Sequence, residues 1–99
     1  MEYEIKWLSN ASLTYLDEID FIFEKWNFKE VQNFILLVDE NLKRLSVNPK
    51  IGIPMKNMFR LVLSKQTTLF FSIQEKEKRI DLIIFWNNSK NPDELMKLL

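Results

Sequence analysis

The sequence predicts an α+β domain in which a mainly antiparallel, four-stranded sheet carries a helical hairpin on one face. A short alternating stretch opens the chain, two stretches of helical period follow, and three more alternating stretches come after the only glycine. Alternating apolar and polar residues are typical of half-buried strands, whereas a repeat of three to four residues is typical of amphipathic helices. The predicted order of elements is β-α-α-β-β-β-α, in a single domain that spans residues 1–99.

The first strand and the helical hairpin occupy the first half of the chain. Tyr3, Ile5 and Trp7 alternate with charged residues, which predicts a strand with one buried face. Two helical stretches follow, and their short join makes them antiparallel neighbours. We expect the following apolar stripes to pack inward: Leu13, Leu16, Ile19, Phe23 and Trp26 in the first helix, and Val31, Phe34, Ile35, Val38, Leu42 and Leu45 in the second.

The clearest break in the chain separates the hairpin from the strands. Two prolines and the only glycine fall within residues 48–54, and such residues interrupt regular structure. We expect Gly52 to adopt a backbone conformation that other residues avoid. Three strands of an antiparallel meander are predicted within residues 59–64, 69–74 and 79–86. A short last helix should open at Asn91-Pro92.

Alternation in the meander assigns side chains to the two faces of the sheet. The hairpin should cover one face, because no other element can bury the apolar side of the strands. We expect Arg60, Ser72, Gln74 and Asp81 on the opposite, more open face. Phe70 and Phe85 should form an apolar patch there, suited to a protein partner.

Composition excludes several classes of chemistry. The chain contains no Cys and no His, which excludes disulfides, thiolate metal sites, thiol nucleophiles and histidine general bases. A single glycine cannot build a phosphate-binding or dinucleotide-binding loop. We therefore expect no cofactor and no metal. Helical spacing places Asp17, Glu18 and Asp20 mainly on the wet side of the first helix, which favours a solvated surface over a metal or acid–base cluster.

Charge is unevenly distributed along a chain of zero net charge. Residues 1–50 contain six Lys/Arg and nine Asp/Glu, whereas residues 51–99 contain eight and five. Lys56, Arg60, Arg79 and Lys90 are therefore candidates for contact with an anionic partner, the alternative being ordinary surface residues. Arginine can bind phosphate bidentately or stabilise charge in phosphoryl transfer. No secretory signal or membrane-spanning run is visible, so we expect a cytoplasmic protein.

Short motifs along nearly the whole chain resemble the RelE/ParE toxin family, in the same order and with similar spacing. The family opens with I-x-W-S-x-x-A, has L-x-x-x-P-x-x-G after its hairpin, R-L at a strand start, an aromatic strand, and R-N/D-P near its end. The matching segments here are residues 4–8 with Ala11, Leu45–Gly52, Arg60-Leu61, residues 70–73 and residues 86–92.

This resemblance implies the toxin half of a bacterial type II toxin–antitoxin (plasmid stabilisation) pair, held inactive by a small antitoxin. RelE-like members cleave mRNA on the ribosome, and ParE-like members poison DNA gyrase. Arg60 corresponds to the family's strand arginine and Lys56 to a lysine before it, so both would be catalytic in a RelE-like enzyme. The family's C-terminal Tyr or His has no counterpart, since the only tyrosines are Tyr3 and Tyr15.

The sequence therefore favours the ParE-like branch, a toxin that acts by binding, with DNA gyrase as the expected target. One alternative is a ribosome-dependent mRNA endoribonuclease of RelE type. A second is a degenerate toxin that only binds its antitoxin. The residues expected to contact the target or antitoxin are Arg60, Phe70, Arg79, Phe85, Trp86 and Lys90.

Overall fold

A computed structural model describes residues 2–99 and shows a sheet with a helical hairpin on one face. Its elements are β1 (Glu4–Trp7), α1 (Ser9–Lys25), α2 (Phe28–Val47), a 3-10 turn (Pro49–Ile51), β2 (Ile53–Met55), β3 (Met58–Val62), β4 (Thr67–Gln74), β5 (Arg79–Asn87) and α3 (Pro92–Leu98). The strands lie in the order β1-β5-β4-β3-β2. β1 runs parallel to β5, and all other pairs are antiparallel.

The sheet has five strands rather than the predicted four, because β2 forms an additional edge. Ile53 pairs with Arg60, and Met55 pairs with Met58. The sequence prediction assigned this segment to the break because it contains Pro54. Proline lacks a donor for the ladder but is tolerated in an edge strand, where its N–H position can face solvent.

Asparagine side chains define where two of the helices begin. Asn27 is the N-cap of α2 and accepts a hydrogen bond from the backbone N–H of Glu30 at 2.9 Å. Asn91 caps α3 in the same way, accepting from the N–H of Asp93 at 3.0 Å. These caps satisfy donors that would otherwise lack an intrahelical partner, and they confirm the predicted start of the last helix.

The side of α1 that packs on the sheet and on α2 differs from the predicted one. The apolar residues that pack inward are Ala11, Tyr15, Ile19 and Ile22. The predicted residues that are instead at least half exposed are Leu13, Leu16, Phe23 and Trp26. With 3.6 residues per turn, the predicted stripe is wrong by roughly 100° around the helix axis, about one residue step.

Two polar side chains fix this rotation of α1. Thr14 Oγ1 accepts a hydrogen bond from the backbone N–H of Phe85 at 2.9 Å, on the part of β5 that extends beyond its pairing with β1. One turn further along, the Glu18 carboxylate accepts from Thr67 Oγ1 at 2.5 Å. Buried polar groups carry a large free-energy penalty when unpaired. α1 is therefore held in the rotation about its axis in which both hydrogen bonds form.

Glu18 contradicts the expectation of a solvated acidic surface, because only 3% of the residue is exposed. Its carboxylate also accepts a hydrogen bond from Gln66 Nε2 at 3.3 Å, which ties α1 to the loop between β3 and β4. Asp17 and Asp20 are exposed, as predicted. A pattern of charges alone did not distinguish the buried carboxylate from its exposed neighbours.

Gly52 has an ordinary extended backbone, with φ −75° and ψ 154°, so the predicted unusual conformation is wrong. The reason for a glycine is space. A Cβ at this position would lie 2.5 Å from Cζ of Phe71 and 3.2 Å from Cβ of Phe59. The two rings stack with centroids 5.6 Å apart, and the glycine lets the backbone pass directly against them.

Left-handed backbone occurs instead at Lys56, in the turn between β2 and β3, and at Lys78, in the turn between β4 and β5, both with φ 50°. This conformation costs a non-glycine residue about 1–2 kcal/mol. Lys56→Gly should therefore raise the free energy of unfolding by about 0.5–1 kcal/mol after the entropy cost of glycine. Urea unfolding measures this. The matched control is Lys76→Gly, at a loop lysine without positive φ, which should lower stability; a gain there as large as at Lys56 would contradict the explanation.

Candidate functional site

The candidate site is the sheet surface opposite the hairpin, which we call the open face. Its side chains are Glu4, Lys6, Ile53, Met55, Met58, Arg60, Val62, Thr68, Phe70, Ser72, Gln74, Arg79, Asp81, Ile84 and Trp86. The expected placement of Arg60, Ser72, Gln74 and Asp81 on this face is confirmed.

Arg60 lies at the midpoint of β3, the strand next to the edge strand β2. Its strand, β3, runs between β2 and β4, and its cross-strand neighbours are Ile53 and Phe70. The side chain is exposed, and within residues 2–99 no carboxylate lies within ion-pair distance of it. An unpaired guanidinium can bind a carboxylate or phosphate bidentately. Arg60 is thus available to a partner.

Beside Arg60 lies an apolar cluster that the chain covers itself. Phe70, Ile84 and Trp86 are at most 6% exposed, and Leu95 of α3 packs against them. Phe70 and Trp86 were predicted as contact residues, but α3 shields them from solvent. The exposed apolar side chains of this face are instead its outer ones, Ile53 and Val62, which are 50% and 57% exposed. Val62 lies on β3 together with Arg60, and Ile53 lies opposite Arg60 on β2.

A β-bulge reverses the alternation of β5. Phe70 pairs with Ile84, but the next residue of β4 pairs with Leu82, so Ile83 is an extra residue without a partner. Such an insertion turns every later side chain to the other face of the sheet. Ile84 therefore lies on the open face, and Phe85 lies on the hairpin side.

The prediction that Phe85 joins Phe70 in an open apolar patch is accordingly wrong. Phe85 is 2% exposed within the core under the hairpin. Its ring centroid lies 5.3 Å from that of Trp7 and 5.4 Å from that of Tyr15. Trp7 thus packs on the core as predicted, and Phe85 cannot reach a partner on the open face.

Arg79 is engaged in an intramolecular ion pair. Its Nε donates to Oδ1 of Asp81 at 2.7 Å, and its Nη2 donates to Oδ2 of the same carboxylate at 3.3 Å. The Arg79 hydrogen bonds, opposed in part by burial, hold the pKa of Asp81 below its ordinary value. The predicted contact residue Arg79 is thus largely neutralised within the fold, in contrast to Arg60.

This ion pair should make stability depend on pH in the acid range. Because the folded-state pKa of Asp81 is lowered, the pair stabilises the fold above the unfolded pKa, about 3.9. That contribution is lost as the pH falls through the folded-state pKa. Asp81→Asn and Arg79→Gln should lose the same pH-dependent part of the unfolding free energy, measured by urea titration at several pH values. A wild-type Asp81 that titrates by NMR at its ordinary pKa would contradict this.

The four basic candidates do not converge on one point. Lys56 lies in the β2–β3 turn and Arg79 opens β5, both at one end of the sheet. Lys90 follows the other end of β5, a strand of nine residues and therefore roughly 27 Å long. Its Nζ lies 5.9 Å from the centroid of the Trp86 ring. Arg60, at the midpoint of β3, is the candidate that lies away from both ends of the sheet.

The carboxylates and tyrosines nearest to consider as acid–base partners of Arg60 lie on other strands or on the hairpin side. The carboxylates of the open face, Glu4 and Asp81, lie on β1 and β5, two or more strands from Arg60. Tyr3 and Tyr15 both pack on the hairpin side. Within residues 2–99 no group of His, Cys, Asp and Glu could hold a metal ion. Among the described residues, no carboxylate lies within ion-pair distance of the guanidinium.

Sequence reasoning identified Arg60 but missed the exposed apolar residue next to it. Ile53 is identified as a site residue only because the structure shows β2 paired with β3. The available signal was the short alternation Ile53-Pro54-Met55, which the proline obscured.

No helix in the described part of the chain combines the length and apolar character needed to cross a membrane.

Comparison with known proteins identifies the fold. No protein-family model matches the sequence, and no curated protein matches it. Among solved structures, the chain is similar to one in the toxin–antitoxin complex RelBE2 from Mycobacterium tuberculosis. The TM-score is 0.64 with 13% sequence identity, over 91% of this chain and 95% of that chain. The expected α+β fold of RelE/ParE type is thus confirmed, and at this identity the likeness concerns the fold.

Proposed function

We propose that this chain is the toxin component of a bacterial type II toxin–antitoxin pair and that it inhibits growth by binding a cellular target. The observation that carries the proposal is the exposed Arg60, which within residues 2–99 has no carboxylate at ion-pair distance and lies beside Ile53 on the open face of a fold shared with a toxin–antitoxin complex. A cognate antitoxin would neutralise it, and the site of action would be the cytoplasm.

Among possible targets, DNA gyrase is the one we propose, as for the ParE-like branch. The support is that no carboxylate lies within ion-pair distance of Arg60 within residues 2–99, since ribonuclease chemistry needs groups that accept and donate protons. A charged centre with exposed apolar neighbours is instead typical of a protein-binding surface, in which a few anchor residues carry most of the energy.

Two assays with purified protein test the target. Added to DNA gyrase, the chain should abolish supercoiling, and added to translating ribosomes it should leave mRNA intact. Cleavage of mRNA in the ribosomal A site would overturn the gyrase proposal. Absence of both effects in a protein that still stops growth would exclude both targets.

The second candidate function is a ribosome-dependent mRNA endoribonuclease, which the exposed guanidinium favours. Here Arg60 and Lys56 would stabilise the charge of the phosphate in the transition state. Arg60→Ala should then reduce cleavage by about 10²–10³-fold while leaving ribosome binding largely intact. Loss of binding without an effect on the cleavage step would instead support the binding function.

A degenerate toxin that only binds an antitoxin is the remaining alternative. The partner should be encoded in a neighbouring reading frame, and the two proteins should form a stable complex when co-expressed. Induced expression of the toxin alone should arrest growth, and co-expression should restore it. Complex formation without any growth arrest would leave only the antitoxin-binding function.

A further inference from the structure

α1 carries more apolar surface than the fold uses. Its inward side packs on the sheet and on α2, yet Leu13, Leu16 and Phe23 are 60%, 56% and 57% exposed. At 100° per residue these three side chains lie within an arc of about 80° on the outer side of the helix. Singly exposed apolar residues are ordinary, but a contiguous stripe marks a contact surface.

Acidic residues border the same stripe. Asp17, Asp20 and Glu24 are exposed. Around the helix axis, Asp20 lies between Leu16 and Leu13, and Asp17 and Glu24 lie just beyond Leu13. Within residues 2–99 none of the three has a cation within ion-pair distance. The basic residue of α1, Lys25, lies instead over the rings of Phe21 and Trp26. The outer side of α1 is therefore apolar along one edge and acidic along the other.

We propose that this surface, formed by Leu13, Leu16, Asp17, Asp20, Phe23 and Glu24, is a docking site for a basic amphipathic helix of a partner protein. An apolar stripe on such a helix would bury the leucines and the phenylalanine, in the way helices pack into apolar grooves. Lysines or arginines beside that stripe would neutralise three carboxylates that have no cation within ion-pair distance in residues 2–99.

Charge also decides against the other occupants. A second copy of the chain related by a two-fold axis would bring the same acidic edge towards itself, and like charges across an interface are costly. An anionic membrane surface attracts basic segments rather than acidic ones. The site lies on the hairpin, across the sheet from Arg60, so it does not depend on the toxin proposal and could be occupied together with the open face.

The test uses two synthetic 18-residue helical peptides, one of Leu and Lys with an apolar stripe and one with Glu in place of Lys. Binding to the full chain is followed by amide chemical shifts in NMR. The Lys peptide should shift residues 12–24 of α1, leave Arg60 and β3 unchanged, and weaken with added salt. The Glu peptide should not bind. Shifts spread over all acidic surfaces, or equal binding of both peptides, would overturn the proposal.

Surface variants make the test specific. Leu16→Ser with Phe23→Ser should weaken binding of the Lys peptide at least tenfold, as should Asp17→Lys with Asp20→Lys. The matched controls are Leu36→Ser, at an isolated leucine of α2 that is 59% exposed, and Glu40→Lys, which should both bind like wild type. Circular dichroism checks that each variant is folded. The proposal would be contradicted if the control variants weakened binding as much as the surface variants. It would also be contradicted if the free chain formed a dimer that Leu16→Ser dissociates, or if the chain bound anionic vesicles more strongly than the Lys peptide.

Discussion

Phe85→Ala should lower the free energy of unfolding by about 3–5 kcal/mol, the usual cost of truncating a fully buried phenylalanine. The residue is 2% exposed and packs against the rings of Trp7 and Tyr15. The alanine would leave a cavity between α1 and the sheet, and these two packed elements cannot move together to fill it. Chemical denaturation followed by circular dichroism measures the loss.

A double-mutant cycle establishes on which side of the sheet Phe85 lies. Phe85→Ala should couple to Trp7→Leu by about 0.5–1.5 kcal/mol, as expected for a stacked aromatic pair. It should be additive with Phe70→Leu, a residue of the open face. The control Phe23→Ala, at an exposed ring, should change stability by no more than about 0.5 kcal/mol. Coupling to Phe70 instead of Trp7 would refute the bulge in β5.

Gly52→Ala should destabilise the protein by about 1–3 kcal/mol through overpacking. The backbone at Gly52 is extended and suits any residue, but the added methyl group would lie 2.5 Å from Cζ of Phe71. That ring is fully buried and stacked on Phe59, so it has no free space to move into. Urea unfolding compares the variant with wild type.

Shortening the obstructing ring should relieve the clash. Phe71→Leu alone costs stability, but the double variant Gly52→Ala with Phe71→Leu should be more stable than the sum of the two single effects predicts. Strictly additive effects would show that the glycine serves another purpose. A positive φ, the sequence-based expectation, would make Gly52→Asn the best-tolerated substitution, whereas the close approach makes asparagine worse than alanine.

Periodicity predicted most of the fold because it reports burial directly. The alternation of Tyr3, Ile5 and Trp7 and the helical repeat of α2 both describe one buried side. The structure keeps those sides at least partly buried, although Trp7 at the end of β1 remains 36% exposed. Asn91-Pro92 predicted the start of α3 because capping is a local interaction. Arg60 was predicted on the open face because no irregularity precedes it in β3.

The remaining features depend on interactions distant in sequence. The bulge at Ile83 adds one apolar residue to an apolar strand, so composition does not reveal it, yet it moves Phe85 to the other face. The rotation of α1 was missed because this helix has two apolar stripes. The stripe that packs inward is selected by hydrogen bonds of Thr14 and Glu18 to β5 and β4, and the other stripe stays exposed.

The central claim, that the open face of this fold carries a growth-inhibiting function, is tested most directly by growth after induced expression of Arg60→Glu. Wild type should arrest growth, and Arg60→Glu, equally folded and equally abundant, should lose that arrest because it reverses an open-face charge that has no carboxylate within ion-pair distance in residues 2–99. Lys29→Glu, the same charge change at an exposed residue of α2, should arrest growth like wild type. Arrest by Arg60→Glu equal to that of wild type, or no arrest by wild type, would contradict the account.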